Sequence, residues 1–450
     1  MLNIFDSETE VSLCKYWSYV FVVTLFILSF EVVIVSADAP NCSGWWDGQT
    51  QPYEISNVSD LQCMKANLSA DYVLTTNINA SKTETWNIGS GFDPVGDGNS
   101  KFTGSFDGQG FEIDGLFMDR GGSRLGGLFG WTDNVVIEDT ILSNINVSGT
   151  DQDYGGVVGL SEDPNDLIRN VSVSGVVDGS DSTGGIVGFG SFSGARVINS
   201  KVDVEVSGNN DVGGIVGYSS IELINIISRG SVSGNDKVGG MIGGMYYGGP
   251  VNNTISFGTV SGNSNVSGLI GYNNELGDGV ANSFWDANTS EQTAGKWGTG
   301  KTTEELKDVS TYSDTSTSGL TDAWDFVGDP NDDSNSEDIW NIAPSENDGY
   351  PFLTPLQYED ELFCYYKQSC NADERVLGVE NYSGGFVNIH AQLSNYTGNQ
   401  YNYSLCCSSE NQVVNESCSI TGNEEVVRLS NTSNAHVQAA DVSLNSTVYD

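Results

Sequence analysis

Between residues 126 and 271 one short unit, Gly-Gly-apolar-apolar-Gly, returns at nearly constant intervals. The copies are Gly126-Gly127-Leu128-Phe129-Gly130, Gly155-Gly156-Val157-Val158-Gly159, Gly184-Gly185-Ile186-Val187-Gly188, Gly213-Gly214-Ile215-Val216-Gly217 and Gly239-Gly240-Met241-Ile242-Gly243. Ser267-Gly268-Leu269-Ile270-Gly271 closes the series, and the spacings are 29, 29, 29, 26 and 28 residues. A unit of this length, with two or three short strands, cannot bury a face alone and must stack on its neighbours. One coil per repeat predicts an all-β fold, a right-handed parallel β-helix, with equivalent residues about 4.8 Å apart along the rod. Valine and isoleucine would line its interior, while glycines at the corners would supply positive φ and close backbone approach. Two adjacent apolar residues cannot both point inward from a regular strand, so a bend is expected inside each unit.

Each period carries a second landmark, an apolar pair beside Asp or Asn followed by an alternating run. Examples are V-I-N-S-K-V-D-V-E-V-S-G (197–208), L-I-N-I-I-S-R-G-S-V-S-G (223–234) and V-N-N-T-I-S-F-G-T-V-S-G (251–262). The polar positions, Asp139, Asn170, Asn199, Asn225, Asn253 and Asn282, predict a turn ladder with amides bonded from coil to coil. A calcium-binding stack is the functional alternative, and calcium is the one cofactor the sequence leaves open. The nonapeptide of calcium β-rolls is absent.

Upstream, Y-V-L-T-T-N-I-N-A (72–80), F-D-P-V-G (92–96) and K-F-T-G-S-F-D-G-Q-G-F-E-I-D-G-L-F (101–117) read as the first coils. The segment 56–68 is expected to form a short helix capping the open end. Downstream, 310–320 and 328–338 read as polar loops, and W-D-F-V (324–327), I-W-N-I (339–342) and G-Y-P-F-L (349–353) as the opposite cap.

The Gly-Gly-apolar-apolar-Gly units resemble the GLUG repeat of bacterial and archaeal adhesin-like surface proteins, some of them attached to IgA-peptidase precursors. F-T-G-S-F-D-G-Q-G-F-E-I-D-G-L before the repeats, and S-F-W-D-A-N-T-S (283–290) with G-T-G-K-T-T-E-E-L-K (298–307) after them, share the resemblance. It covers roughly residues 50–355 and implies a β-helical stalk or display module. No catalytic residues accompany the repeat, so none carry over.

The chain holds 60 Asp and Glu against 17 Lys and Arg, a formal charge of −43. Such a surface repels phosphate backbones, which argues against a nucleic-acid partner. It suits a solvated exterior or high-salt surroundings. Residues 16–35 form an apolar stretch broken only by Glu31, and Ala37-Asp38-Ala39 follows as a cleavage-like site. Residues 1–39 are therefore expected to be a signal peptide or a retained anchor, the one contact with a membrane. The eight cysteines include no C-x-x-C pair. Cys42, Cys63, Cys364, Cys370, Cys406, Cys407 and Cys418 are candidates for disulfides in an oxidising compartment. Sequons at Asn57, Asn146, Asn170, Asn265, Asn395 and Asn431 are candidate glycan acceptors.

Gly295-Lys296-Trp297-Gly298-Thr299-Gly300-Lys301-Thr302 satisfies the P-loop pattern. A working P-loop needs a buried strand before it, and here a polar segment precedes it. Pectin-lyase-like and polygalacturonase-like β-helix enzymes need converging carboxylates, and no Asp-Asp constellation is evident at matched positions of neighbouring coils. Hydrolysis by Ser or Cys needs a histidine, and only His390 and His436 exist. They sit in two N-x-H-x-Q segments, 388–392 and 434–438, each with similar surroundings. Residues 356–450 thus read as two copies of a Cys-bearing β module resembling small repeats of predicted archaeal surface proteins. The second copy stops short, with a cysteine expected two residues beyond Asp450. The histidines are weak metal candidates.

Residues 40–355 are thus read as the β-helix with its caps. The expected role is adhesion, display or envelope assembly by an extracellular chain, secreted or held at the cell surface. A lateral face would bind a surface glycan or protein, without enzymatic activity. A carbohydrate-active β-helix enzyme and a purely structural envelope subunit are the alternatives.

Overall fold

The computed structural model describes residues 39–354, apart from 46–49, 192–193, 247–248, 275–278, 294 and 328–337. Beyond 354 it describes the backbone of six strands. Residues 16–35, Cys370, Cys418, Asn395 and Asn431 lie outside the described residues. Two compact units divide the chain, Met1–Thr354 and Pro355–Asp450.

The first unit is a parallel β-helix of about six turns. Three parallel sheets run along it. The broad first sheet extends from Tyr53–Ile55 to Thr299–Lys301. The second stacks Tyr154–Gly155, Asp181–Gly184, Asn210–Gly213, Asp236–Gly239 and Ser264–Ser267. The third stacks Phe129–Thr132, Val158–Ser161, Val187–Gly190, Val216–Ser219, Ile242–Met245 and Ile270–Asn273. Register places Phe129, Val158, Val187, Val216, Ile242 and Ile270 in one column, every member fully buried. Their neighbours Val157, Ile186, Ile215, Met241 and Leu269 are buried too. Both members of each apolar pair face inward because the chain bends between the second and third sheets, as the unit's pattern requires.

The repeat glycines correct the expectation of positive φ. Among them only Gly127, at 148°, has one. Their common requirement is space. A Cβ on Gly213 would lie 2.1 Å from the Val216 carbonyl oxygen in its own coil. On Gly214 it would lie 2.2 Å from the Gly240 carbonyl oxygen in the next coil. On Gly217 it would lie 2.3 Å from the Thr183 nitrogen in the preceding coil. The same three clashes recur at Gly239, Gly240 and Gly243. Backbone packs on backbone here, with no room for a side chain.

Left-handed backbone is assigned instead to two columns of other residues. In the first, Asp139, Asn170, Asn199, Asn225, Asn253 and Asn282 all have φ between 47° and 55°. Asparagine and aspartate tolerate this region best after glycine. The expected ladder is present: Asn170 Nδ2 donates to Asp139 Oδ1 at 2.9 Å, and Asn225 donates to Asn199 at 2.8 Å. Asn253 donates to Asn225 at 3.3 Å, whereas Asn282 turns to Asn252 at 3.0 Å. The second column, Asp153, Ser182, Asp211, Lys237 and Asn265, has φ of 50–69°.

Both ends of the rod are closed. Asn57 caps the helix Val58–Cys63 by accepting from the Ser59 and Asp60 amides, and Cys42 is disulfide-bonded to Cys63. At the far end Tyr312, Trp324, Phe326, Trp340 and Tyr350 bury against Phe284 and Phe257. Asp286, fully buried, ties this cap together. It accepts from the Asn288 and Thr289 amides, the Thr303 hydroxyl and the Tyr350 hydroxyl. The loop expected at 310–320 departs from that reading. Ser310–Ser313 is a short helix, because Tyr312 packs edge-on against Phe284 and donates to the Leu306 carbonyl at 2.7 Å.

The second unit is an antiparallel sheet in the order Phe363–Lys367, Tyr403–Ser408, Arg375–Val379, His390–Leu393, Ala435–Ala439, Val427–Leu429. The two strands bearing N-x-H-x-Q are neighbours, with His390 opposite His436 in register. Cys364 stands opposite Cys407.

Gly217→Ala is expected to destabilise the rod by more than about 3 kcal/mol, because the obstructing atoms are backbone. Gly110→Ala, where a Cβ meets nothing within 4 Å, should cost about 1–2 kcal/mol from its left-handed φ alone. Denaturant melts of the two variants check this; equal losses would refute the backbone-contact reading.

Candidate lateral recognition face

The residue after the third glycine of each unit points out of the third sheet, since side chains alternate along a strand. Register aligns Trp131, Leu160, Phe189 and Tyr218 at this position, then Gly244 and Tyr272. Tyr246, two residues on, fills the gap over Gly244. The result is a ridge of rings. Phe189 stacks on Tyr218 at 4.3 Å and 12°, and Tyr218 on Tyr246 at 4.3 Å and 7°. Tyr246 meets Tyr272 at 5.5 Å with a tilt of 46°. All four are partly exposed.

The second left-handed column flanks this ridge. The Tyr246 hydroxyl donates to Asp211 Oδ1 at 3.0 Å, and Lys237 Nζ lies 3.5 Å from Asp211 Oδ2. The same ammonium stands 5.6 Å and 5.8 Å from the Tyr246 and Tyr272 ring centres. Burial raises the Asp211 carboxyl, against the opposing pull of Lys237 and the Tyr246 hydroxyl. Burial also pushes the Tyr246 phenol up to about 12. Two coils earlier Asp153, almost wholly buried, is paired with Arg124. Its Oδ1 has no hydrogen-bond partner, and burial pushes the carboxyl up to about 6 against the pull of Arg124.

Stacked rings use their faces on one another. What they present outward is edges, and edges carry the positive end of the ring quadrupole. Such a ridge suits carbonyl and carboxylate oxygens and well-packed apolar side chains. It offers little face for a sugar ring.

A cleft of about 300 Å³ is lined by Asn282, Ser283, Lys296, Trp297, Thr299 and neighbours. Two of its polar side chains are committed elsewhere: Asn282 Oδ1 accepts from Thr321 and Asp322, and Ser283 Oγ donates to Ala281. The P-loop-like stretch borders this cleft. Within it Thr299–Lys301 is itself a strand of the first sheet, and Thr302 caps a helix of only four residues. One acid pair escaped the sequence reading: Asp107 and Glu138 are register partners on neighbouring coils, with Asp139 next in line. Burial, with Glu138 and Asp107 adding repulsion, pushes the Asp139 carboxyl up to about 6.

Among the candidate glycan acceptors, Asn146 and Asn265 are exposed on strands. Asn170 is half-buried in the amide ladder, and Asn57 serves as a helix cap. Among the described residues no group of three or more His, Cys, Asp or Glu could hold a metal ion.

No family model matches the chain. Over 138 residues it is 42% identical to Halomucin of Haloquadratum walsbyi, a match spanning 29% of this chain and 2% of Halomucin. A solved structure from Bacteroides ovatus, described as "a putative immunoglobulin A1 protease", is similar in fold, with 19% identity and a TM-score of 0.48. That similarity covers 67% of this chain and 92% of the other. The expectation of a chain without enzymatic activity is withdrawn on this finding, because a similar fold is itself described as a protease. At this identity and TM-score the likeness transfers neither an activity nor a catalytic residue.

The raised carboxyls set a pH dependence. Asp139 and Asp153 bind a proton more tightly folded than unfolded, so stability falls as pH rises from the ordinary carboxylate range through about 6. Asp236 and Glu305, held low, act in the opposite sense and at more acid pH. The thermal midpoint should therefore drop between pH 4.5 and 7. Asp153→Asn should flatten part of that drop and raise the midpoint at pH 8; an unchanged profile would show that Asp153 is ionised throughout.

Proposed function

We propose that this chain is an extracellular β-helical module that binds a protein partner across the ridge Phe189–Tyr218–Tyr246–Tyr272. The ring stack carries the reading: four partly exposed aromatic side chains from successive coils lie on one face of the β-helix. Exposed aromatic patches of this kind mark interaction sites, and tyrosine is enriched in protein interfaces. Because Phe189, Tyr218 and Tyr246 are stacked face to face, a protein surface fits better than stacked sugar rings.

An oxidising, extracellular setting is supported by the Cys42–Cys63 disulfide. The apolar stretch at 16–35 and the partial likeness to Halomucin point the same way. The GLUG resemblance of the repeat belongs to this proposal, as do glycans on exposed sequons such as Asn146.

The test is to titrate the full chain onto a cell-envelope preparation from the source organism. Saturable binding that disappears after protease treatment of the envelope is expected. A Tyr218→Ser, Tyr246→Ser variant should bind at least about tenfold more weakly, a loss of about 1.4 kcal/mol. Binding that survives protease and is abolished by periodate would move the ligand to a glycan. Soluble product seen by mass spectrometry would make the face part of an enzyme, and full-strength binding by the variant would sink the ridge.

A further inference from the structure

Gly244 interrupts the aromatic column at one rung, and the gap is filled. A Cβ there would strike Asp211 Oδ1 and the ring of Tyr246. The Asp211 carboxyl occupies the space that the missing side chain leaves, and only 12% of the Asp211 side chain is exposed. Asp211 and Lys237 follow one another in the second left-handed column, with φ of 53° and 54° on successive coils. Three groups converge on this carboxyl. The Tyr246 hydroxyl donates to Oδ1 at 3.0 Å, and Lys237 Nζ stands 3.5 Å from Oδ2. Asp236 Oδ2 lies 4.0 Å from the same nitrogen.

Other lysine pairs are built differently. Lys65 and Lys101 meet Asp93, Asp133 and Glu162, whose side chains are 34–36% exposed. The Lys237 pair instead joins a buried carboxyl whose second oxygen is held by a phenol. An amine beside a carboxyl, a donor on the oxygen that stays and a base near the nitrogen are the parts that acyl transfer needs.

We propose that Lys237 Nζ and Asp211 Cγ close an intramolecular amide, a covalent rung between two successive coils beside the ridge. The pair enters as ammonium and carboxylate. One ammonium proton passes to Oδ2, and Nζ adds to Cγ. Charge then builds on Oδ1, where the Tyr246 hydroxyl already donates. Asp236 takes the second proton from the nitrogen and returns it to Oδ2. The Cγ–Oδ2 bond breaks and water leaves. One C–N bond forms, one C–O bond breaks, and no oxidant or cofactor is consumed. Fixed geometry supplies the drive, since well-oriented groups reach effective molarities of about 10⁵–10⁸ M. Burial, which raises the Asp211 carboxyl, also favours a neutral amide over an ion pair.

The test is a tryptic digest of the full chain after disulfide reduction and enzymatic removal of glycans, read by tandem mass spectrometry. Residues 202–229 should be joined to 230–296 through Asp211 and Lys237, with no cleavage after Lys237. The branched peptide should be about 18 Da lighter than its two parts together, the mass of one water. Lys237→Arg keeps the charge but offers no amine nucleophile, so the bridge should vanish and cleavage at 237 return. Tyr246→Phe keeps the ring in the stack and removes the donor. In a time course after synthesis it should close the bridge at least about tenfold more slowly. A free peptide 230–237 from the unaltered chain after prolonged incubation would overturn the proposal. So would a bridge that persists in Lys237→Arg, or one that forms at full speed in Tyr246→Phe. Mass is the readout throughout, so the outcome is independent of what the ridge binds.

Discussion

Backbone lying directly on backbone is the contact from which the rest of this rod follows. At Gly213, Gly214 and Gly217 a methyl group would collide with main-chain atoms of the same, the next and the preceding coil. No rotamer change relieves such a collision, so the inner units keep glycine at all three places, and only the last unit carries Ser267 at the first. Once those contacts exist, the second and third sheets are locked to one another within and between coils. The apolar pair between the glycines must then turn inward, and the residue after them must turn to the outer side of the sheet.

The outward residue is consequently stacked with its equivalents whether or not stacking was selected. Where the column offers aromatics, as at Phe189 and Tyr218, rings fall 4.3 Å apart and nearly parallel. The left-handed columns do the same for polar groups. A residue held at φ near 50° on every coil sends Asp211 and Lys237 to the flank of the ridge. Geometry imposed by glycine and asparagine thus aligns a surface that neither residue belongs to.

The sequence disclosed what depends on strict residue identity. The glycine units and the Asn ladder were legible because Gly fills nearly every place in the one and Asx suits the other. The second left-handed column was hidden, since Asp153, Ser182, Asp211, Lys237 and Asn265 share no side-chain type. The ridge was hidden for a related reason: Gly244 breaks the aromatic column and Tyr246 repairs it from two residues away. Asp107 and Glu138 could not be paired by eye because the intervals upstream of Gly126 depart from the repeat. Tyr312 lay within a Ser- and Thr-rich stretch whose composition says loop, and a single buried ring outweighs that composition.

Rigidity links this architecture to recognition. A ridge on a loop would lose conformational freedom on binding, which costs roughly 0.5–1.5 kcal/mol for each side chain immobilised. Here the ring stack, the Tyr246–Asp211 hydrogen bond and the coil-to-coil ladder fix Tyr218 and Tyr246 before any partner arrives. The same stacking limits adaptability. One rung cannot move without disturbing the backbone contacts of its neighbours, so a partner must match the rung repeat as it stands. A solenoid surface therefore favours long, regular contacts over deep pockets. The committed polar atoms around Asn282 and Ser283 are consistent with that preference.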